Sequence, residues 1–584
     1  MTHTPPTLSM KLTDLIGRIY PEEDPDILAS RVIAAFWPEG AHRRKRARTP
    51  GKRLWSQRDA IVITYGNSVT DDGHEPLDVL HHFLMGYLQG TVSTVHLLPY
   101  FPFTSDDGFA VTDYREVNPA LGDWSDIRRL AGDFTLMSDL VLNHVSSQGK
   151  WFNAYLEGEP PFDRFFFEAS PGDDLSSVVR PRTHPLLREV ETANGTRHVW
   201  CTFSHDQVDL DFRNPEVLLE FIRIMRLHID EGVRILRLDA VAYLWKQIGT
   251  SCIHLPQTHA IVQLFRVLCD FAVEPVLLLT ETNVPNVENL TYFGNRNEAH
   301  AVYNFSLPPL ILHALHSGTA EHLHRWQVSM PPAQLGCTYL NFSASHDGIG
   351  MRPAEGILPQ EDIDRLVAAV QAFGGRVSMR SLNGGGEAPY ELNITFFDAM
   401  KGTFAGEDNW QIERFLCSQT IVMALEGIPA FYIHSLLATP NDHEGVERTG
   451  LNRAINRHRW DYQRLCALLS APDSAQARVL NSMKDRIGIR ARQPAFHPNA
   501  TQFTLHLDHR IFGIWRQSID RDQSIFALHN VSGDTVAVSP LSINLIGGED
   551  WVDLLTGEHV GPSGGDISFA PYQCRWIANR FVRK

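Results

Sequence analysis

Short apolar runs punctuate the chain from residue 60 onward, at 60–64, 92–98, 136–142, 233–238, 276–280, 301–305, 337–342 and 428–433. Each run is continuous rather than alternating, as expected of parallel strands covered on both faces. The stretches between them can form helices, so the rhythm predicts a (β/α)8 barrel, although a doubly wound sheet reads similarly. The polar residues decide between the two. Asn143-His144 follow the third run, Asp239 the fourth, Glu281 the fifth and His346-Asp347 the seventh. A barrel gathers strand ends so distant in sequence onto one face, whereas an open sheet does not.

The intervals that break the rhythm predict the remaining organisation. Residues 1–58 read as an N-terminal helical extension, and the catalytic barrel as 59–146 plus 206–484. The segment 147–205, rich in Pro, Phe and charge, reads as an inserted subdomain after the third strand. A second loop insertion, 348–400, follows the seventh strand and contains Gly384-Gly385-Gly386. Connections this long usually shape access to a site. From 485 to 584 the pattern turns to short alternating strands with turn signals, the mark of an antiparallel β-sandwich.

Composition narrows the partners. The 584 residues carry 52 basic and 68 acidic side chains, a net charge of −16, which repels phosphate polymers and anionic membranes over most of the surface. The basic run at 42–48 is short and isolated, so it reads as a solvated face rather than a nucleic-acid patch. Seven cysteines are scattered with no C-x-x-C pair, which suits reduced thiols and supports neither a disulfide frame nor a zinc site. No secretory leader and no apolar run of membrane-spanning length is evident. A cytoplasmic protein is expected.

Four segments carry the chemistry: Asp139-Leu-Val-Leu-Asn143-His144, Arg237-Leu-Asp239, Thr280-Glu281-Thr282-Asn283 and Ser345-His346-Asp347. In order and spacing they resemble the strand-end motifs of the α-amylase family of retaining glycoside hydrolases and transglycosylases, over roughly residues 59–580. Retaining cleavage of a glycoside uses a carboxylate nucleophile and a carboxylic acid about 5–5.5 Å apart. The resemblance makes Asp239 the nucleophile and Glu281 the acid/base, with Asp347 binding sugar hydroxyls and stabilising the oxocarbenium-like transition state. Arg237, two residues before Asp239 and so on the same strand face, is expected to hold that carboxylate ionised and to stand among the substrate contacts. His144 and His346 would donate hydrogen bonds to the same glucosyl unit.

Finer features resemble the sucrose phosphorylase branch. Asp106-Asp107-Gly108-Phe109 and Asn452-Arg453-Ala454-Ile455-Asn456-Arg457 match segments whose Asp and first Arg close the end of a single glucose subsite, here Asp106 and Arg453. By the same resemblance Phe109 and Phe203 would be apolar walls and Gln207 a polar contact. Arg182, in Arg180-Pro181-Arg182, falls on a phosphate-binding arginine, and a guanidinium fork suits that anion. Tyr390 falls on a tyrosine of the mobile loop after the seventh strand. Where the sucrose enzymes carry Glu-Val-His and a glutamine, this chain has Glu281-Thr282-Asn283 and Glu391. These departures fall on the leaving-group side, which places Asn283 and Glu391 among the substrate contacts and puts sucrose itself in doubt.

The resemblance therefore implies a retaining α-glucoside phosphorylase that forms α-D-glucose 1-phosphate, with glucosylglycerate the favoured substrate. Sucrose, sucrose 6-phosphate and glucosylglycerol remain alternatives, as does an α-glucosidase of the same fold. A binding protein on a dead scaffold would lack one of the three acids, and all three are present. Amylases often bind calcium near the motif carrying Asn143, but the phosphorylase branch generally does without it, and no D-x-D-x-D-G loop occurs. The expected partners are a small α-glucoside and inorganic phosphate, with no metal, cofactor, nucleic acid or membrane, in a monomer or homodimer.

Overall fold

The computed structural model describes residues 7–39, 44, 54–382, 385–543, 545, 550–561 and 565–579. Most of the basic run at 42–48, and Gly384, lie outside the described residues; Arg44 is described, and its N–H donates to Phe271 O at 3.0 Å. Each of the eight apolar runs supplies one strand: β1 Ile61–Thr64, β2 Thr94–Leu97, β3 Thr135–Val141, β4 Val233–Asp239, β5 Leu277–Thr280, β6 Ala301–Tyr303, β7 Thr338–Asn341 and β8 Ile428–Tyr432. They close into a parallel barrel in chain order, with β8 returning to β1. Every residue of β1, β2, β7 and β8 is buried. That is why these runs are continuously apolar: one face fills the barrel and the other meets the helices.

Two helices precede the barrel, α1 Leu8–Ile19 and α2 Pro25–Phe36. Asp24 starts α2 by accepting from the N–H groups of Asp26 and Ile27 at 3.0 and 3.1 Å, and Pro25 brings no N–H that would need a partner there. Leu12, Leu15, Ile16 and Ile19 on α1 and Leu28, Val32 and Phe36 on α2 are buried. Their spacing of three and four residues makes one apolar stripe per helix. The stripes pack against the barrel helices Pro256–Phe271 and Pro215–Asp230.

Two excursions leave the strand-end face. After β3 the chain forms the helix Lys150–Glu157 and the hairpin Leu187–Thr192 with Gly195–Trp200, and returns by pairing Gln207–Asp209 against His144–Ser146. After β7 it forms a three-stranded sheet of Ile349–Gly350, Glu387–Asn393 and Arg376–Ser381, with the helix Gln360–Ala372. At the C-terminus a six-stranded antiparallel sheet packs on a two-stranded one around Phe526, Leu528, Val538, Trp551 and Phe569. The expected start of this unit at 485 needs correction. Residue 485 lies inside the helix Ala475–Ala491, whose Val479, Leu480, Met483 and Ile487 belong to the main core, and the first sheet strand is Thr501–Leu505.

A buried arginine joins the parts. Arg490 is 1% exposed, and its guanidinium donates to Met423 O at 2.9 Å, Gln57 O at 2.7 Å, Gly427 O at 3.1 Å and Phe496 O at 3.2 Å. It thus ties the chain entering β1, the chain entering β8 and the approach to the C-terminal sheet. Replacing it strands several buried carbonyls at about 1–3 kcal/mol each. Arg490→Met should therefore cost about 3 kcal/mol or more in denaturant unfolding, and a loss under 1 kcal/mol would show that the knot is dispensable.

Candidate active site

Strand register builds the centre of the site. In the β3–β4 ladder Asp139 stands opposite Arg237 and Val141 opposite Asp239, and alternation along β4 puts Arg237 and Asp239 on one face. The Arg237 guanidinium donates to Asp139 and, at 2.7 Å, to Asp239 Oδ1; its second terminal nitrogen lies 4.0 Å from Glu281 Oε2. His96 on β2 contacts Asp139 from the other side at 2.8 Å. Just beyond β4, Ala240 adopts φ 48°, a left-handed conformation rare for a residue with a Cβ, and its N–H donates to Glu281 Oε2 at 2.9 Å. The turn after the strand thereby aims Glu281 at Asp239.

Burial pushes the Asp239 and Glu281 carboxyls above the ordinary range, and Arg237 pulls both down. Asp239 is the nearer of the two to the guanidinium, at 2.7 Å against 4.0 Å for Glu281. Burial also pushes Asp139 up, but Arg237 and His96 hold its carboxyl down to about 2. His346 is held well below its usual value by burial and then by Arg457, and burial likewise lowers His144. Both imidazoles are neutral near pH 7.

A second set of guanidiniums closes one end. Arg453 contacts Asp347 at 2.8 Å, Asp106 at 3.4 Å, and Glu391 at 2.5 and 3.0 Å. Arg457 contacts Asp106 at 3.2 Å and Asp107 at 2.8 Å, and donates to His346 O at 2.9 Å. Asp106 and Asp107 both have φ near +50°, and Gly108 follows at φ 118°, where a Cβ would lie 2.7 Å from Pro99 O. Only glycine fits the end of this turn, and the turn directs two carboxylates at two arginines.

These groups surround a cavity, about 610 Å³ when the space open to solvent is counted, lined by Asp106, Phe109, His144, Arg182, Phe203, Gln207, Asp239, Tyr243, Glu281, Asn283, His346, Asp347, Tyr390, Glu391 and Arg453. Phe109 stacks on His346 at 4.8 Å, Phe203 meets His144 at 5.2 Å, and Gln207 lies 3.2 Å from His144 Nε2. The Arg182 guanidinium rests 4.7 Å from the Tyr390 ring, so the two excursions meet over the cavity. Of the residues singled out in the sequence, the structure brings all but one to this wall. Arg237, expected among the substrate contacts, lies beneath it, 2% exposed, and reaches the cavity only through Asp239 and Glu281. Glu391 lines the wall, yet both its oxygens accept from Arg453, which spends the carboxylate on the clamp.

Sequence reasoning gave no role to Asp139, Arg457, Tyr65 or Lys246. Asp139 opens a motif already noticed and Arg457 ends another, so their positions were available; their partners were not. Tyr65 packs edge-on against His346 at 5.8 Å and lies under Arg457. Lys246 Nζ donates to Asn143 Oδ1 at 2.9 Å and Tyr243 O at 2.8 Å, and pairs with Asp209 Oδ2 at 2.9 Å. An ammonium therefore fills the oxygen cluster beside Asn143, where the amylase resemblance raised the question of calcium.

Known proteins resemble this chain over most of its length. Residues 85–348 match the alpha amylase catalytic domain. The chain is 44% identical to the glucosylglycerate phosphorylase of Spirochaeta thermophila over 89% of both chains, and 41% identical to that of Allomeiothermus silvanus over 99% of this chain and 100% of the relative. The chain belongs to the α-amylase family, in its sucrose phosphorylase branch. The crystal structure of sucrose 6F-phosphate phosphorylase from Thermoanaerobacter thermosaccharolyticum shares the fold, with a TM-score of 0.71 at 23% identity over 88% of this chain and 98% of that one. Among the described residues no helix is long and apolar enough to cross a membrane.

The filled oxygen cluster is testable. Lys246→Met would leave Asp209 buried without its cation, a loss of about 3–5 kcal/mol for a broken buried pair. Denaturant unfolding should show it, and millimolar Ca2+ should leave the melting temperature of the wild type unchanged. A calcium-stabilised wild type would mean that the lysine does not occupy the cluster.

Proposed function

We propose that the protein is a retaining glucosylglycerate phosphorylase. The observation that carries the reading is one cavity bounded by Asp239, Glu281 and Asp347, closed at one end by the Arg453–Asp106 pair and bordered by the Arg182 guanidinium. The closed end suits a single glucosyl unit, and the names of the relatives support glycerate as the group released. Phosphate and a small α-glucoside are then the partners. Seven free cysteines suit a cytoplasmic setting, and we assign a monomer or homodimer. We divide the chain into a helical extension to residue 58, a barrel with insertions at 147–205 and 348–400, and a C-terminal unit beyond the helix Ala475–Ala491.

The mechanism follows from the positions of the groups. An Asp239 oxygen attacks the anomeric carbon while the Glu281 proton passes to the departing glycosidic oxygen, leaving a β-glucosyl ester on Asp239 and a free acceptor. Arg237 keeps the attacking carboxylate ionised and Asp347 holds sugar hydroxyls. Glu281, now a carboxylate, takes a proton from the incoming phosphate, whose oxygen attacks the same carbon and displaces Asp239. Two inversions retain the α configuration. Arg182 supplies positive charge where the phosphate enters, in a pocket otherwise rich in carboxylates.

Incubating the enzyme with glucosylglycerate should give α-glucose 1-phosphate in proportion to phosphate; free glucose alone at every phosphate concentration would make it an α-glucosidase instead. In reverse, α-glucose 1-phosphate with glycerate should release phosphate faster than with glycerol, fructose or fructose 6-phosphate. Asp239→Ala should lower turnover by several powers of ten, as loss of a nucleophile does.

Because burial and Asp347 raise the Glu281 carboxyl, its acid form persists to higher pH than that of a free glutamate. Glucosyl-enzyme formation should fall only as pH rises through that raised value. Glu281→Gln should erase this basic limb and spare substrates with good leaving groups. Arg182→Ala should leave the first step intact and raise the Michaelis constant for phosphate roughly 10- to 150-fold, the equivalent of a charged hydrogen bond. An unchanged phosphate dependence would move that site elsewhere.

A further inference from the structure

Away from the carboxylate cavity, three side chains from three helices converge outside the barrel. His313 belongs to the helix Leu307–Ser317 that follows β6, His322 to the helix Glu321–Ser329, and Asp362 to the helix Gln360–Ala372. His313 Nε2 stands 3.3 Å and His322 Nε2 3.4 Å from the same atom, Asp362 Oδ2. One donor atom from each of the three residues lies within 4.8 Å of the other two. Donors held at about 2.0–2.2 Å by a tetrahedral ion sit about 3.3–3.6 Å from one another. The two measured separations fall at the short end of that range.

The surroundings suit a ligand set more than a hydrogen-bonded cluster. The His313 side chain is 3% exposed; among the described residues its Nδ1 has no hydrogen-bond partner, and its Nε2 meets Asp362 Oδ2 at 3.3 Å without the alignment of a hydrogen bond. Leaving buried polar atoms in that state is costly. The other carboxylate oxygen, Asp362 Oδ1, faces Arg365 Nη1 at 3.6 Å, and that guanidinium rests 4.1 Å from the Phe404 ring. Arg365 therefore orients the carboxylate from outside and leaves Oδ2 toward the two imidazoles, as outer-shell partners of metal ligands do. The neighbouring His316 is already engaged with Ala399 O at 2.7 Å.

We propose that His313, His322 and Asp362 bind one divalent transition ion of the Zn2+ class, with water as the fourth ligand. Two imidazoles and a single carboxylate oxygen select such an ion over Ca2+ or Mg2+, which demand more oxygen ligands. The role is structural, since no group of the carboxylate cavity takes part. The helix Gln360–Ala372 leads directly into the strands Arg376–Ser381 and Glu387–Asn393, the second of which carries Tyr390 and Glu391. A bound ion fastens the base of that insertion to two helices on the outside of the barrel.

The full-length chain, stripped with a chelator, should take up one equivalent of Zn2+ by calorimetry and melt at a higher temperature once loaded. Substituted Co2+ should show the visible absorption of a tetrahedral nitrogen and oxygen site, without a thiolate-to-cobalt band. His322→Ala and the nearly isosteric Asp362→Asn should each weaken Zn2+ binding by more than about 100-fold, beyond the roughly 10- to 100-fold that outer-shell losses cost. Both variants should keep glycoside turnover. His506→Ala, which removes one member of the histidine pair formed with His324 at 4.7 Å, should change nothing. The proposal fails if the wild type binds no Zn2+ at micromolar concentration. It fails equally if binding survives both ligand substitutions, or if the Co2+ spectrum reports thiolate ligands.

Discussion

The buried Arg237 guanidinium is the interaction on which the site depends. Four strands deliver acids or their partners to one enclosed face, and Asp139, Asp239 and Glu281 all lie within reach of this one cation. Removing a charge from water costs several kcal/mol unless a partner with good geometry replaces the lost solvation. Arg237 meets that requirement for Asp139 and Asp239 with direct hydrogen bonds, and leaves Glu281 at 4.0 Å. The unequal distances separate two carboxyl groups that are chemically alike. Retaining glycoside chemistry uses two carboxyl groups in different roles, and unequal environments are what it requires of them.

The rest of the pocket repeats this balance with a deliberate remainder. Arg453 and Arg457 offset Asp106, Asp107, Asp347 and Glu391, yet carboxylates still outnumber guanidiniums around the cavity. A surplus of negative charge at low dielectric favours a sugar that becomes cationic in the transition state. It also repels phosphate, so a phosphorolytic enzyme needs positive charge at the place where phosphate enters. Arg182, the residue proposed for that task, lies on an excursion rather than on a barrel strand, and its stacking on Tyr390 couples it to the second excursion. Asp239 ends a barrel strand, and Glu281 and Asp347 follow theirs within a few residues, whereas Arg182 and Tyr390 come from the two excursions.

Two polar clusters of opposite character frame the barrel. Beside Asn143 the donors are oxygens, and the chain fills that cluster with its own Lys246 ammonium. Between the outer helices two imidazoles face one carboxylate oxygen.

The barrel was legible in the sequence because both its signals are local. Each strand is a continuous apolar run, and each acid or histidine singled out at a strand end sits within a few residues of its run, so Asp239, Glu281, Asp347, His144 and His346 could be placed on one face. The C-terminal sheet was legible from alternation, but its boundary was not, because the helix Ala475–Ala491 packs against the barrel helix Gln411–Ala424. What only the tertiary structure decided are the pairings. Arg453 meets Asp106 across 347 residues of chain, Arg457 joins it, Glu391 is consumed by the clamp, Arg237 sits under the wall instead of on it, and His313, His322 and Asp362 come together from separate helices. Periodicity encodes which face of an element is buried. It cannot encode which distant charge will lie opposite once that face is closed, since the pairing depends on strand register and loop path summed over the whole fold.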